Sequence, residues 1–165
     1  MLMPMTLDRF PLLVAAASAA ILLTALGFQY LGGLAPCALC IWQRWPYVAA
    51  IVLGGAALAA SGRTRGVLTA LAGIALLAGT GIAAFHVGVE QHWWPGLASC
   101  GGAIDYSSGS IDDLRARLMA APVVSCDTVA WSFLGLSMAG WNFLLSLGLG
   151  LASLAAGLRL GRPRG

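Results

Sequence analysis

Lysine is absent from this 165-residue chain, and charged residues of every kind make up only 9% of it. The formal charge of +3 rests on nine arginines, too few and too scattered for a nucleic-acid surface, so no nucleic-acid partner is expected. No linker or internal repeat divides the chain, which reads as a single membrane domain over 1–165. What it has in quantity is apolar: hydrophobic residues reach 59% and mean hydropathy is +0.87. That excludes an ordinary soluble domain and leaves an integral membrane protein.

Four apolar stretches are bounded by charges, each able to supply the roughly 17 to 25 residues that cross a bilayer core. Spans are expected over approximately 12–31, 45–61, 66–89 and 139–158, which makes the fold class an all-α bundle of four transmembrane helices. Positive residues in short connections favour the cytoplasmic side. Under a four-span arrangement Arg9, Arg63, Arg65, Arg159, Arg162 and Arg164 share one face, while Arg44, Arg115 and Arg117 lie opposite among Glu90, Asp105, Asp112, Asp113 and Asp127. Both termini are therefore expected in the cytoplasm, and the loops 32–44 and 90–138 outside it, with all four cysteines. A cleaved secretory signal is the competing reading of the N-terminus. Its apolar region would run about 7 to 15 residues, whereas here no charge follows Arg9 until Arg44, so a retained span is expected.

Asp8 can cap the first helix, Pro11 suits its opening turn, and Gly32 with Gly33 end it. Proline clashes in a helix interior, so the second helix should start within a few residues before Pro46. Cys40 is then at or just outside a helix N-terminus, where the dipole favours its thiolate. Stripes of small residues, Ala75, Gly79 and Ala83 in the third span and Gly148, Ala152 and Ala156 in the fourth, would let helix backbones approach closely in lipid. The long connection from Glu90 to Thr128 is rich in Gly and Ser, and within it Ser110 to Met119 reads as a short helix able to lie on the membrane surface. All six tryptophans, Trp42, Trp45, Trp93, Trp94, Trp131 and Trp141, fall in or beside the outer connections. A belt would enrich both interfaces, so a one-sided cluster also points to an apolar pocket.

The chemistry is concentrated in Pro36-Cys37-Ala38-Leu39-Cys40-Ile41-Trp42-Gln43-Arg44-Trp45-Pro46-Tyr47. Four cysteines allow three pairings, and they come as a close pair, Cys37 and Cys40, and a distant one, Cys100 and Cys126. In an oxidising compartment two disulfides are the default. Closing the long loop contributes on the order of 3 kcal/mol, reason enough for a bond between Cys100 and Cys126. So small a ring as Cys37 to Cys40 removes little chain entropy, and that pair calls for a chemical role. Zinc is one possibility, but Cys100 and Cys126 have no near partner in sequence and His86 and His92 repeat no ligand spacing, so no metal is expected. Thiol-disulfide exchange is the other, with Arg44 placed to stabilise a thiolate or an anionic acceptor.

These residues resemble the membrane disulfide oxidoreductases of the DsbB type, the disulfide bond formation protein B family. The resemblance covers Phe28-Gln29-Tyr30, the run Pro36-Cys37-Ala38-Leu39-Cys40-Ile41, Arg44, His86, Glu90, Cys100, Cys126, and Trp131-Ser132-Phe133-Leu134-Gly135-Leu136-Ser137-Met138. It implies a bacterial inner-membrane enzyme that reoxidises a DsbA-like periplasmic thioredoxin-fold partner and passes the electrons to the quinone pool, as ubiquinone or menaquinone. Cys100 would take the partner in a mixed disulfide, and Cys126 would complete that pair. Electrons would then reach Cys37 and Cys40 through an interloop bond between Cys37 and Cys126. Cys40 would meet the quinone, with Arg44 holding the ring. His86, preferred over His92, would stand at the same site. The chain departs from the pattern at Gln43, which is neutral where some members carry an acid before the arginine. Outside enzymes, the alternative is a membrane assembly or scaffold subunit braced by two disulfides.

Overall fold

The computed structural model describes residues 7–100, 110–112 and 124–162. Helix α1 spans Phe10–Tyr30 behind a short 3-10 turn at Leu7–Arg9, and α2 is a brief helix at Ala38–Trp42. Helices α3, Arg44–Ala59, and α4, Gly62–Glu90, follow, and α5 covers Met138–Leu160. Between α4 and α5 lie a 3-10 turn at Ala98–Cys100 and a small antiparallel hairpin of β1, Ser132–Phe133, and β2, Leu136–Ser137.

Three helical segments are long and apolar enough to cross a membrane: Leu7–Tyr30, Gly62–Glu90 and Met138–Leu160. Helix α3, at 16 residues, rises only about 24 Å against a hydrocarbon core of about 30 Å. It is preceded by α2 with Gln43 alone between them, so the chain from Ala38 to Ala59 is helical except at that residue. Pro46 falls in the opening turn of α3, where its missing N–H breaks no helical bond. At the start of α1 the expected cap by Asp8 is not made. The 3-10 turn carries the chain into α1 through Arg9, and the Asp8 carboxylate lies 3.4 Å from Arg65 instead. That contact joins the start of α1 to the start of α4, on the end of the bundle opposite the cysteines.

Helix α4 is the central element, packed along α5 on one side and α3 on another, while α3 also packs on α1. The core between them contains Val14, Tyr47, Ala50, Ala72 and Leu76. The small residues of α4 and α5 do bring two backbones together, but not all in the stripe read from the sequence. Gly148 and Ala152 are exposed, and α5 instead turns Ser146, Gly150, Ser153 and Gly157 inward. A Cβ added at Gly73 would stand 2.6 Å from the Leu154 backbone nitrogen and 2.8 Å from the Gly150 carbonyl oxygen. One at Gly157 would stand 2.7 Å from the Gly66 carbonyl oxygen. Serine alternates with glycine there because its hydroxyl can return to its own helix, as Ser153 does to the Leu149 carbonyl at 2.6 Å, a choice that a count of Ala and Gly overlooks. On the other face of α4, Gly79 lies against Pro46 of α3. Of the short helix expected over Ser110–Met119, Ser110 is not helical, Ile111 and Asp112 are, and residues 113–119 lie outside the described residues.

The α4–α5 contact yields a contrast. Gly73→Ala should destabilise the bundle by about 1–3 kcal/mol, because the obstructing atoms are backbone. Gly148→Ala, with nothing within 4 Å, should leave stability unchanged or raised. Thermal unfolding in detergent reads both, and equal melting temperatures for the two variants would remove this interface.

Candidate functional site

The four cysteines gather at the end of the bundle where α4 finishes. Cys37, Leu39, Val89, Cys100 and Cys126 form one buried cluster. Cys100 and Cys126 are joined as a disulfide, with Cα atoms 5.1 Å apart, while Cys37 and Cys40 carry no covalent bond and their sulfurs lie 2.7 Å apart. The local cause is α2. Cys37 is its N-cap in extended backbone, and its sulfur accepts the Cys40 backbone N–H at 3.2 Å.

This placement corrects one expectation. Cys40 is not outside a helix N-terminus but inside α2, and the residue at the cap, where unpaired N–H groups point, is Cys37. The acidity of the two thiols divides accordingly. Cys37 is lowered to about 4, first by the hydrogen bond from the Cys40 thiol, then, against the opposing effect of burial, by His86 and by the Cys40 backbone N–H. Cys40 moves the other way, raised because it is the donor in that same bond and because it is buried beside the Cys37 charge.

His86, one turn before the end of α4, is 3% exposed and sets Nε2 3.6 Å from the Cys37 sulfur. Glu90, one turn on, has a carboxylate oxygen 3.9 Å from the same nitrogen. The Ser137 hydroxyl donates to the other Glu90 oxygen and accepts the Gly140 N–H at 3.1 Å, so one side chain both caps α5 and holds Glu90. Gln43, at the break between α2 and α3, donates from Nε2 to the Leu39 carbonyl at 3.2 Å and stands 2.8 Å from His86 Nδ1. His92 is exposed in the turn after α4, with φ of 58°, and is not among the residues lining the cavity below.

The ligand atoms of Cys37, His86 and Cys126 all lie within 4.8 Å of one another. Cys126, without a near partner along the sequence, thus has two across space. The Cys126 sulfur is already bonded to Cys100, and a closed zinc site takes four free donors. The same proximity serves sulfur exchange directly, since it sets a buried thiolate beside a disulfide.

Below the cysteines a cavity of about 560 Å³ extends between α1 and α5, from Cys37, Cys40, Gln43, Arg44, His86 and Glu90 at one end to Ala20 and Leu145 at the other. It exists because α1 and α5 touch only sparingly. Phe28, Trp131, Phe133 and Trp141 form its aromatic wall, with Phe28 and Trp131 centroids 5.0 Å apart and Trp131 stacked on Phe133 at 6.1 Å. Arg44 opens α3 at the cavity mouth, half-buried, and makes no ion pair among the described residues. The wall depends on the β1–β2 hairpin, whose two turn residues, Leu134 and Gly135, both have positive φ, at 51° and 78°. Such a turn matches strand twist, and the Trp141 indole N–H donates to the Phe133 carbonyl at 3.0 Å to hold the hairpin against α5. An isolated Asn in an apolar span is a signal that sequence reasoning passed over. Asn142, the chain's one asparagine, lines this cavity and donates to Gln43, and Tyr47 donates to Asn142 in turn.

The chain is similar to known proteins along most of its length. The family described as "Disulfide bond formation protein DsbB" matches residues 8–156. A Disulfide bond formation protein B of Polaromonas sp. (strain JS666) is 34% identical over 160 residues, covering 92% of this chain and 91% of that protein. A protein of the same name from Xanthomonas axonopodis pv. citri is 35% identical over 153 residues, covering 88% and 87%. One from Xanthomonas campestris pv. campestris (strain 8004) is 36% identical over 152 residues, covering 90% and 88%. With a continuous match over nearly its whole length and the four cysteines assembled at one site, the chain belongs to the DsbB family of disulfide bond formation proteins.

Proposed function

We propose that this protein reoxidises a DsbA-like periplasmic thioredoxin-fold protein and delivers the electrons to membrane quinone. The observation that carries the reading is the meeting of a disulfide, Cys100–Cys126, and a dithiol, Cys37 with Cys40, at the mouth of one apolar cavity. All of this lies at the end of the bundle away from Arg63, Arg65 and Arg159. That charge bias supports a bacterial inner-membrane protein with α3 as a fourth span, both termini cytoplasmic and the sulfur chemistry in the periplasm.

A partner thiolate attacks Cys100, and Cys126 leaves; the partner's second thiolate then breaks the mixed disulfide and departs oxidised, leaving two thiols here. Cys126 as thiolate attacks the oxidised Cys37–Cys40 bond at Cys37, releasing Cys40, and Cys100 closes again on Cys126 to leave the Cys37 and Cys40 dithiol. Cys100 is 3% exposed within its cluster, so the partner must open that packing to reach it, and thiols without a docking surface should react slowly there.

The cavity suits a quinone by its chemistry: aromatic and aliphatic walls for a ring and isoprenoid tail, with a cation and two sulfurs at one end. A bound quinone would accept two electrons and two protons. On the protein side, closing the Cys37–Cys40 bond from one thiolate and one thiol releases two electrons and the proton of Cys40. Arg44 would stabilise negative charge at the ring oxygen, and His86, 3.6 Å from the Cys37 sulfur, with Glu90 3.9 Å from the same nitrogen, would handle the second proton.

Purified protein at substoichiometric amounts should oxidise a reduced DsbA-like protein only when quinone is supplied. Turnover absent from folded protein would leave the scaffold reading. Cys40→Ser should abolish quinone reduction and Cys100→Ser partner oxidation, and full activity in either would remove that cysteine's role. Arg44→Ala should raise the KM for quinone about tenfold, the scale of one charge-assisted contact, with partner oxidation by the Cys100–Cys126 pair intact. An unchanged dependence on quinone would make Arg44 an interface anchor.

A depressed thiol pKa means ionisation persists as the pH falls, until the pH passes through the lowered value. In the dithiol form, ultraviolet thiolate absorbance should report one thiolate per chain at neutral pH, lost with a midpoint near 4. Cys37→Ser should remove it. A midpoint in the ordinary thiol range near 8.5 would separate Cys37 from its hydrogen-bond donors.

A further inference from the structure

Gln43 is 6% exposed, and its amide joins α2, α4 and α5 through the Leu39 carbonyl, His86 and Asn142. Its orientation follows from chemistry. The Leu39 carbonyl can only accept a hydrogen bond, so the Gln43 atom 3.2 Å from it must be the NH2 nitrogen. That nitrogen has a second hydrogen, and the atom 2.8 Å away is His86 Nδ1. Two donors cannot share a contact of that length, so Nδ1 is the acceptor. In a neutral imidazole the proton then sits on Nε2. Nε2 is the nitrogen that faces the Cys37 sulfur at 3.6 Å and Glu90 at 3.9 Å.

The far side of the amide is determined by the same logic. Gln43 Oε1 must accept, so Asn142 meets it with its own NH2 group, which leaves Asn142 Oδ1 to accept from the Tyr47 hydroxyl. Every bond in the series runs in one direction, from the Tyr47 O–H through Asn142 and Gln43 to the imidazole. All four side chains are buried or half-buried, where water cannot substitute for a lost partner.

We propose that Tyr47, Asn142 and Gln43 are positioning residues that hold His86 in the tautomer with its proton on Nε2, so that the imidazole presents an N–H donor to the sulfur of Cys37. Among the described residues, the charged and titratable groups around that imidazole are Cys37 and Cys40 before and within α2, Glu90 on its own helix, Arg44 at the cavity mouth and Tyr47 on α3, with Cys126 close by but held as a disulfide; α5 contributes the neutral Asn142. The donor acts in the same direction as the Cys40 thiol and backbone N–H, favouring negative sulfur at Cys37 over negative sulfur at Cys40. Placing that bias on the path to quinone rests on the function proposed above, but the tautomer itself does not.

Nitrogen NMR of histidine-labelled full-length protein in detergent, with Cys37 and Cys40 as thiols and at mildly alkaline pH, tests the proposal without partner or quinone. The chain has only two histidines, and His92→Gln assigns the spectrum. The expected result is His86 protonated at Nε2 and bare at Nδ1. Gln43→Leu should move the tautomer ratio toward Nδ1–H by about three- to tenfold, the scale of one lost hydrogen bond. Gln43→Glu, nearly isosteric but able only to accept, should place the proton on Nδ1. Asn142→Leu, which removes the donor to Gln43 Oε1 and loosens the amide's hold, should shift the ratio in the same direction as Gln43→Leu by a smaller amount. A native His86 protonated at Nδ1 overturns the proposal, as does a ratio unmoved in folded Gln43→Leu or Asn142→Leu. Loss of quinone turnover with the native tautomer intact would instead count against the proposed function alone.

Discussion

A polar group buried in an apolar bundle must find its hydrogen-bond partner inside the protein, and the site here is arranged under that constraint. Gln43 is where it is met. The chain interrupts its helix at this one residue, so that the amide can reach the Leu39 carbonyl behind it, the histidine of α4 and the asparagine of α5. Six residues earlier, Cys37 caps the N-terminus of α2, so one short helix carries the acidic sulfur at its start and the amide at its end.

The bundle is tight where it needs rigidity and open where it needs space. Along α4 and α5, glycines and serines bring backbones into contact, and Thr80 adds a hydroxyl bond to Ser146 at 3.0 Å. Because α4 carries His86 and Glu90 while α5 carries Asn142 and the Ser137 cap, this contact sets the site's distances. Between α1 and α5 the side chains are larger and meet sparingly, and the cavity occupies that gap. The hairpin closes its upper side with aromatic rings supplied from a segment that belongs to neither helix.

Helix positions were legible because lipid demands long apolar runs and prolines and charges mark their ends. The apolar stretches near 12–31, 66–89 and 139–158 have their counterparts in α1, α4 and α5. The inward face of α5 was not legible from Ala and Gly alone, since serine serves as a small contact residue when its hydroxyl bonds to its own helix. Nor did spacing reveal which thiol is the acidic one. The distance from Cys40 to Pro46 suggested a helix start just past Cys40, whereas the start that matters lies at Cys37, in a helix of five residues too short to leave a periodic pattern.

By itself, the order of residues determined that this is a membrane chain with two cysteine pairs in its polar connections, an arginine beside the close pair and a family pattern spread along its length. Those properties are local or compositional, and each can be read within a window of about one helix. Only the tertiary structure decided that Cys126 meets Cys37 and His86, that His92 stands apart, and that Tyr47, Asn142 and Gln43 are hydrogen-bonded in series to one imidazole. Such contacts join residues as many as 99 positions apart. Which of the available polar groups become partners depends on how the helices rotate about their axes as they pack, and packing of small residues, not sequence spacing, sets that rotation.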